Sequence, residues 1–323
     1  MRWAYSLSGA RPAGAAVELA REVERLGIDE VWVTEDYFER GAFALAGALA
    51  AATERVRIGI GVVNPWTRHP VLTAMETAAL DEIAPGRVLL GLGASNARWM
   101  QEQLGIPFEH PVPRLAEALD IVRAALDGRP VRHDGDGWRV DARLGYRDGA
   151  SAIPLVVGAK GPRALRAAAS RCDGALLSIL SAPAYVAWVR DLIGPSLRLW
   201  SYVTVHLDPD RDRARAVARP LVARYLGVHG EHLITRIAGM EPERARAFRA
   251  GWASGTPRTD LVTDADLDRY CAAGDEDDVR RHLASQAAAG LDVAVLRDTG
   301  RPDAAAELSA VLALVTDNAS HSS

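Results

Sequence analysis

Short runs rich in β-branched residues alternate with alanine-rich helical stretches along almost the whole chain, and this alternation restricts the fold more than any single motif. "RWAYSL" (2–7) predicts a strand, "AGAAVELAREVERLG" (13–27) an amphipathic helix closed by Gly27, "DEVWVT" (29–34) a second strand and "FALAGALAAAT" (43–53) a second helix. The unit recurs in "RVRIGIGVV" (55–63), in "HPVLTAMETAALDEI" (69–83) with Pro70 in its first turn, and in "RVLLGLG" (87–93), an apolar run that suits burial on both faces. Strand–helix steps repeated in this way call for parallel strands, because each helix is the crossover between two of them.

After Gly93 the rhythm breaks. "ASNARWMQEQLGIPFEHPVP" is rich in turn residues and aromatics, a helix is expected from about 114 to 126, and "VRHDGDGWRVDARL" (131–144) reads as a β-hairpin with Asp-Gly turn signals on the same side of the sheet. Alternation returns with "IPLVVGA", "GPRALRAAASRC", "DGALLSIL", "APAYVAWVRDLI" and "LRLWSYVTVHL". Residues 210–270 are Arg-rich and helical, with expected breaks at Gly227, Gly251 and Gly255. "GDEDDVRRHLASQAAAG" and "LDVAVLRD" then supply a helix and an eighth strand, and a last helix is expected near 304–314. Eight strands over this length match an α/β fold of the (βα)8 TIM-barrel type, with insertions after strand 4 and a helical insertion before strand 8, in a single domain spanning 1–323. A doubly wound sheet is the alternative. It needs fewer strands or a domain break, and no Pro/Ser linker marks one.

Composition narrows the partners. The 323 residues are 49% apolar, enough for a large core, and the net charge of −4 is spread without blocks of one sign. That distribution argues against a nucleic-acid surface or a polybasic membrane patch and leaves a small-molecule partner. Cys172 and Cys271 have no paired spacing and no neighbouring histidines, so neither a disulfide framework nor a zinc site is expected. His229 and His232 are spaced for a metal on one helix face, but no third ligand is near them, and no metal is expected. The N-terminus lacks an apolar signal core and no run is long enough to span a membrane, so a cytoplasmic enzyme is expected.

In a barrel the chemistry collects in the loops after the strands. "VVGAKGPRAL" holds Lys160, the single lysine of the chain, between Gly158 and Gly161 at a strand-to-helix turn. Small residues admit a ligand close to the backbone, a helix N-terminus attracts an anion, and Pro162 starts the helix without losing a hydrogen bond. Arg163 in the first turn is unfavourable against the helix dipole unless an anion is near. A phosphate suits this layout; a solvated surface turn is the plain alternative. In "GVVNPWTRHP" Pro65 forces Asn64 out of a regular strand, which predicts a bulge presenting Asn64, Trp66, Arg68 and His69 at the barrel mouth. Arg68 and His69 could equally cap or pair locally. "WVTEDYF" ends strand 2 with Glu35 and Asp36, of which only one can face the cavity, and either could instead cap the next helix. "GLGASN" lacks the third glycine and the helix of a dinucleotide fingerprint; its glycines could let a flat ring lie against the backbone, with Ser95 and Asn96 as partners.

Taken together, "GIGVVNPWTRHPVLTAMETAALDEIAPGRVLLGLG", "VVGAKGPRALRAAASRCDGALLS" and "GDEDDVRRHLASQAAAGLDVAVL" resemble the luciferase-like (bacterial luciferase superfamily) oxidoreductases, especially the coenzyme F420-dependent branch around methylenetetrahydromethanopterin reductase. The resemblance is weakest over 99–147 and 210–270. It implies a TIM barrel binding F420, or FMN in sister branches, with a non-prolyl cis peptide at Gly61–Val62 behind the central ring. It further implies cofactor contacts from Gly61, Val62, Val63, Asn64 and Ser95, and a phosphate held by Gly158, Ala159, Lys160 and Gly161. Many F420-dependent dehydrogenases of the family carry an Asp-His pair three residues after a tryptophan; counting from Trp32, this chain has Glu35-Asp36. Without that histidine base the expected chemistry is a reductase, moving a hydride from reduced F420 to a C=C or C=N bond, with Glu35 first and Asp36 second as proton donor. An FMN-dependent monooxygenase and a non-catalytic cofactor-binding barrel are the competing readings. Trp66 and His69 are candidate substrate contacts. Trp99, Trp138, Trp188 and Trp252 suggest an extended aromatic or peptide-like ligand, and a homodimer is expected by analogy.

Overall fold

The computed structural model describes residues 1–301 and 303–316. Strand β1 (Arg2–Leu7) leads through α1 (Ala13–Arg25) into β2 (Glu30–Val33), and the step repeats through α2 (Ala42–Ala52), β3 (Arg57–Val63), α3 (Pro70–Ile83) and β4 (Val88–Gly93). A π-helical turn (Arg98–Gln103), α4 (Pro111–Leu126) and the hairpin of β5 (Val131–Asp134) and β6 (Arg139–Ala142) precede β7 (Leu155–Gly158) and α5 (Pro162–Ala169). Next come β8 (Gly174–Leu177), α6 (Pro183–Ile193), β9 (Arg198–Val203) and β10 (Val205–Leu207). The helices α7 (Arg211–His229), α8 (Leu233–Ile237), α9 (Pro242–Ala253) and α10 (Asp264–Tyr270) follow, then β11 (Ala272–Gly274), α11 (Glu276–Ala288), β12 (Val293–Arg297) and α12 (Ala304–Thr316). Eight parallel strands close into a barrel in the order β1, β12, β9, β8, β7, β4, β3, β2, as the alternation predicts.

The described residues divide into two compact units. One runs from Ala4 to Leu176 with Ser196–Arg198. Here β2 and β4 are buried at every position, which explains the unbroken apolar run of β4, while the buried Glu30 of β2 is paired with Arg57, and α1 buries Ala16, Leu19, Ala20 and Val23 at helical spacing. The other unit comprises Met1–Trp3, Leu177–Pro195 and the chain from Leu199 onward. Its core sets Ala218, Val222, Ala223 and Leu226 of α7 against Phe248 of α9, with Leu267, Tyr270 and Cys271.

The structure corrects the sequence reading in three places. "LRLWSYVTVHL" is two strands: β9 stays in the barrel, and β10 pairs in parallel with β11, an Ala-Ala-Gly segment with no strand signal of its own. Gly227 and Gly251 do not break helices. Gly227 lies inside α7, where a Cβ would come within 2.6 Å of Trp252 Cβ and 2.9 Å of the Phe248 carbonyl, so its missing side chain is what lets α7 and α9 touch. Gly251 sits likewise inside α9 under Arg258, while the actual end of α7 is Gly230, at φ +57°. Finally, His229 and His232 do not share a helix face. His229 ends α7 and hydrogen-bonds the Ile179 carbonyl, and His232 caps α8 by accepting from Ile234 N–H. Among the described residues no helix is long and apolar enough to cross a membrane.

Candidate active site

The floor of the site is made by β3 and β4. The register between them shifts after Ile60 and resumes at Val63, and the Gly61–Val62 peptide within the shift is cis, as the family resemblance implies. The bulge sends the Val62 side chain into a slot left by three glycines. A Cβ on Gly91 would meet Val62 Cγ1 at 2.8 Å, one on Gly93 would meet Cγ2 at 2.7 Å, and one on Gly158 would meet Cγ1 at 2.9 Å. The glycines of "GLGASN" and Gly158 thus make room for valine rather than for a ring resting on bare backbone. Val62 is partly exposed, whereas Ile58, Ile60 and Val63 are buried, so it presents a small apolar platform. A second non-prolyl cis peptide, Tyr37–Phe38, lies in the loop after β2, where the sequence carried no signal for it.

Polar groups surround this platform. Asn64 is buried, and its Oδ1 accepts from the N–H groups of Trp66 (2.9 Å) and Thr67 (3.1 Å) while its amide donates to the Tyr37 hydroxyl. The tight turn ordained by Asn64-Pro65 is therefore built by this side chain. Its amide organises the loop, leaving Tyr37, bonded also to Thr67 Oγ1 at 2.8 Å, as a hydroxyl that sequence reasoning missed. Burial pushes the Tyr37 phenol above its ordinary range, so it is a neutral donor. An aromatic hydroxyl directly after the acid pair was the available signal.

The acid pair divides as the alternation of an extended chain requires. Glu35 is the enclosed member, its side chain about 10% exposed, and it is bound by Arg68 at 3.2 Å. Arg68 also holds Glu76 at 3.0 Å and lies over the Phe43 ring, so the local-pairing role foreseen for it is the observed one. Asp36 is exposed. His69 caps α3, its Nδ1 accepting from Val71 N–H at 3.2 Å, which leaves the proton on Nε2. Asn96, expected to bind a ligand, instead accepts from Trp99 N–H to start the π-helical turn.

Among the described residues, buried polar side-chain atoms without a hydrogen-bond partner stand after five barrel strands: Thr34 Oγ1 after β2, Trp66 Nε1 after β3, Ser95 Oγ after β4, Thr204 Oγ1 after β9 and Thr299 Oγ1 after β12. Ser95 is held at φ +62°, a left-handed conformation that non-glycine residues adopt rarely. Unsatisfied groups of this kind are costly in a finished core and are expected where a ligand completes the bonding. At β7, Gly161 caps α5 with a Cβ position that would face open space, and Pro162 is the first helical residue, as predicted. Lys160 precedes it, and burial lowers the proton affinity of its ammonium below the ordinary lysine range. Ala159 is buried beside it. An apolar platform, unsatisfied polar atoms around it and a cation before an open helix N-terminus together fit a flat heteroaromatic ring carrying an anionic tail.

Of the four tryptophans proposed as ligand contacts, only two belong to these loops. Trp99 meets Tyr37 edge-on at 5.3 Å and Trp138 meets His69 at 5.3 Å. Trp188 stacks on Tyr185 of its own helix, and Trp252 packs on Gly227, both in the other unit.

The chain matches the luciferase-like monooxygenase family over residues 2–313. It is 30% identical to the 5,10-methylenetetrahydromethanopterin reductase of Archaeoglobus fulgidus over 87% of this chain and 88% of that protein. It is 32% identical to an F420-dependent glucose-6-phosphate dehydrogenase of Beutenbergia cavernae over 61% of this chain and 65% of the relative. Its fold superposes on the coenzyme F420 dependent tetrahydromethanopterin reductase of Methanopyrus kandleri with a TM-score of 0.85 at 23% identity, covering 97% of this chain and 96% of that one. The family match runs along nearly the full length, and the chain belongs to the luciferase-like monooxygenase family.

Proposed function

We propose that this protein is an F420-dependent oxidoreductase acting as a reductase on a C=C or C=N bond of a small-molecule substrate. The reading is supported by the Val62 platform in its glycine slot and by the unpartnered Thr34, Trp66 and Ser95 atoms after β2, β3 and β4, in a chain similar over most of its length to a methylenetetrahydromethanopterin reductase and folded like a coenzyme F420 dependent one. Val62 would support the ring, Ser95 would bond its polar edge, and Lys160 with the N-terminus of α5 would hold the phosphate. The bound cofactor, in its reduced form, would supply the hydride. One proton must come from elsewhere, and the chain's own groups near the platform are the Tyr37 hydroxyl and Glu35. Arg68 holds Glu35 as an ion pair, so the paired carboxylate would first have to take up a proton from solvent, whereas the Tyr37 hydroxyl carries one already.

The direct test is a pair of binding titrations of the purified protein with F420 and with FMN. Tight F420 and weak FMN binding supports the proposal. The reverse preference moves the protein to reduced-flavin and O2 chemistry and overturns it. Lys160→Ala is expected to weaken F420 affinity about tenfold, or about 1.4 kcal/mol, with kcat at saturating F420 little changed; equal affinity removes Lys160 from the site. Glu35→Gln is expected to lower kcat tenfold or more at saturating F420 without changing F420 affinity. Normal turnover would give the proton to Tyr37 or to water.

A further inference from the structure

Arg114 stands in the first turn of α4, where the helix dipole disfavours a cation. Its guanidinium carbon lies over the Trp66 ring at 5.2 Å and over the Trp138 ring at 5.0 Å. Trp66 is backed by Phe108 at 4.9 Å, and Trp138 by the edge of His69. The β5–β6 hairpin is brought onto the arginine by its turn: a Cβ on Gly137 would lie 2.9 Å from Arg114 Cγ, and Trp138 Nε1 donates to the Arg114 carbonyl at 3.4 Å. Glu117, the nearest acid on the same helix face, is taken by His133 at 2.9 Å and by the Gly137 N–H. Among the described residues the Arg114 side chain makes no hydrogen bond or ion pair, and its Nε is buried without a partner. Arg68 and Arg147 of the same unit both meet carboxylates.

A guanidinium lying on indole faces still has its in-plane N–H groups to offer, and that fork matches a carboxylate or phosphate. We propose that Arg114 is the oxyanion-recognising residue of the substrate subsite, so that the substrate carries a carboxylate or phosphate beside an apolar or aromatic group that meets Trp66 and Trp138. The word substrate rests on the oxidoreductase reading; the anion site itself does not.

The test uses cofactor-free full-length protein labelled with 15N, following the indole N–H signals of Trp66 and Trp138, assigned with Trp66→Phe and Trp138→Phe. Benzoate and phenyl phosphate are the anionic probes and benzamide the neutral one. Expected are shifts of both signals with either anion at concentrations at least tenfold below those needed for benzamide, and loss of that preference in Arg114→Met. Arg114→Lys, which keeps the charge without the fork, is expected to retain part of it. Benzamide binding as well as benzoate, or Arg114→Met binding benzoate like the parent, overturns the proposal. Should Arg114→Met not fold, the Lys variant decides by the same criterion: full parental anion affinity overturns the fork. F420 affinity is measured on the same variants and is expected to be unchanged; a tenfold loss there with benzoate unaffected would give Arg114 to the acidic end of the cofactor and overturn its substrate role. If the parent protein discriminates benzoate from benzamide yet binds no F420, the oxidoreductase reading fails and the anion site stands.

Discussion

Gly93→Ala is expected to lower stability by about 1–3 kcal/mol and to weaken F420 binding at least tenfold. The new Cβ would stand 2.7 Å from Val62 Cγ2 and 3.1 Å from the Gly158 carbonyl, and neither neighbour is free to yield. Val62 is β-branched, with few rotamers, and sits on a short bulge whose ends are pinned by the β3–β4 register on both sides. The valine must therefore lift toward the mouth, into the space proposed for the ring. The double variant Gly93→Ala with Val62→Ala separates the two effects: it is expected to regain part of the stability, because the 2.7 Å contact is gone while the 3.1 Å approach to the Gly158 carbonyl remains, and to remain weak in F420 binding, because the platform is gone too. Gly47→Ala is the control, its Cβ facing open space inside α2. A stable Gly93→Ala protein with parental F420 affinity would mean that Val62 is not the floor of the site.

That slot also marks how far the site could be read in advance. The barrel was legible because each βα step writes its own period into the sequence, and the bulge because Asn64-Pro65 cannot continue a strand. The location of Lys160 before α5 followed from glycine and proline chemistry alone. The purpose of Gly91, Gly93 and Gly158 did not, since a missing side chain says that something approaches closely without saying what; the partner, Val62, lies on another strand. Tyr37 was hidden for a similar reason: its partners Asn64 and Thr67 come from the next loop. Arg114 did carry a local signal, a cation in a first helical turn, of the same kind that pointed to Arg163. The split of β9 from β10 had none, because Ala272–Gly274 becomes a strand only through its tertiary pairing with Val205–Leu207.

Unfolding free energy is expected to fall by about 4 kcal/mol between pH 7 and pH 5, about 2 kcal/mol for each of two buried histidines. Burial brings His282 down to about 4, against a smaller opposing influence of Asp268, and burial together with Arg301 and Arg297 brings His206 to about 4. Both lie in the unit that begins again at Leu199. The bonding around His282 agrees: its Nδ1 lies 3.2 Å from the Asp268 carbonyl and so carries the proton, and its Nε2 faces the Gln286 amide nitrogen at 3.3 Å as an acceptor. Protonating Nε2 would set two donors against each other, and turning the amide to cure this would break the Gln286 bond to the Ser181 carbonyl. The folded protein therefore keeps these rings neutral, while the unfolded chain takes up protons as pH drops below about 6.5. Stability is complete above that value and is lost as pH falls toward the folded value near 4. Urea unfolding at pH 7 and pH 5 measures the loss, and His282→Asn is expected to shrink it by about 2 kcal/mol, even though the variant is less stable at pH 7. An unchanged drop would place the acid sensitivity elsewhere. Because this loss begins within the range where carboxylate chemistry is usually profiled, the kcat comparison of Glu35→Gln with the parent belongs above pH 6.5, where a change in turnover reports proton transfer rather than the fraction of molecules still folded.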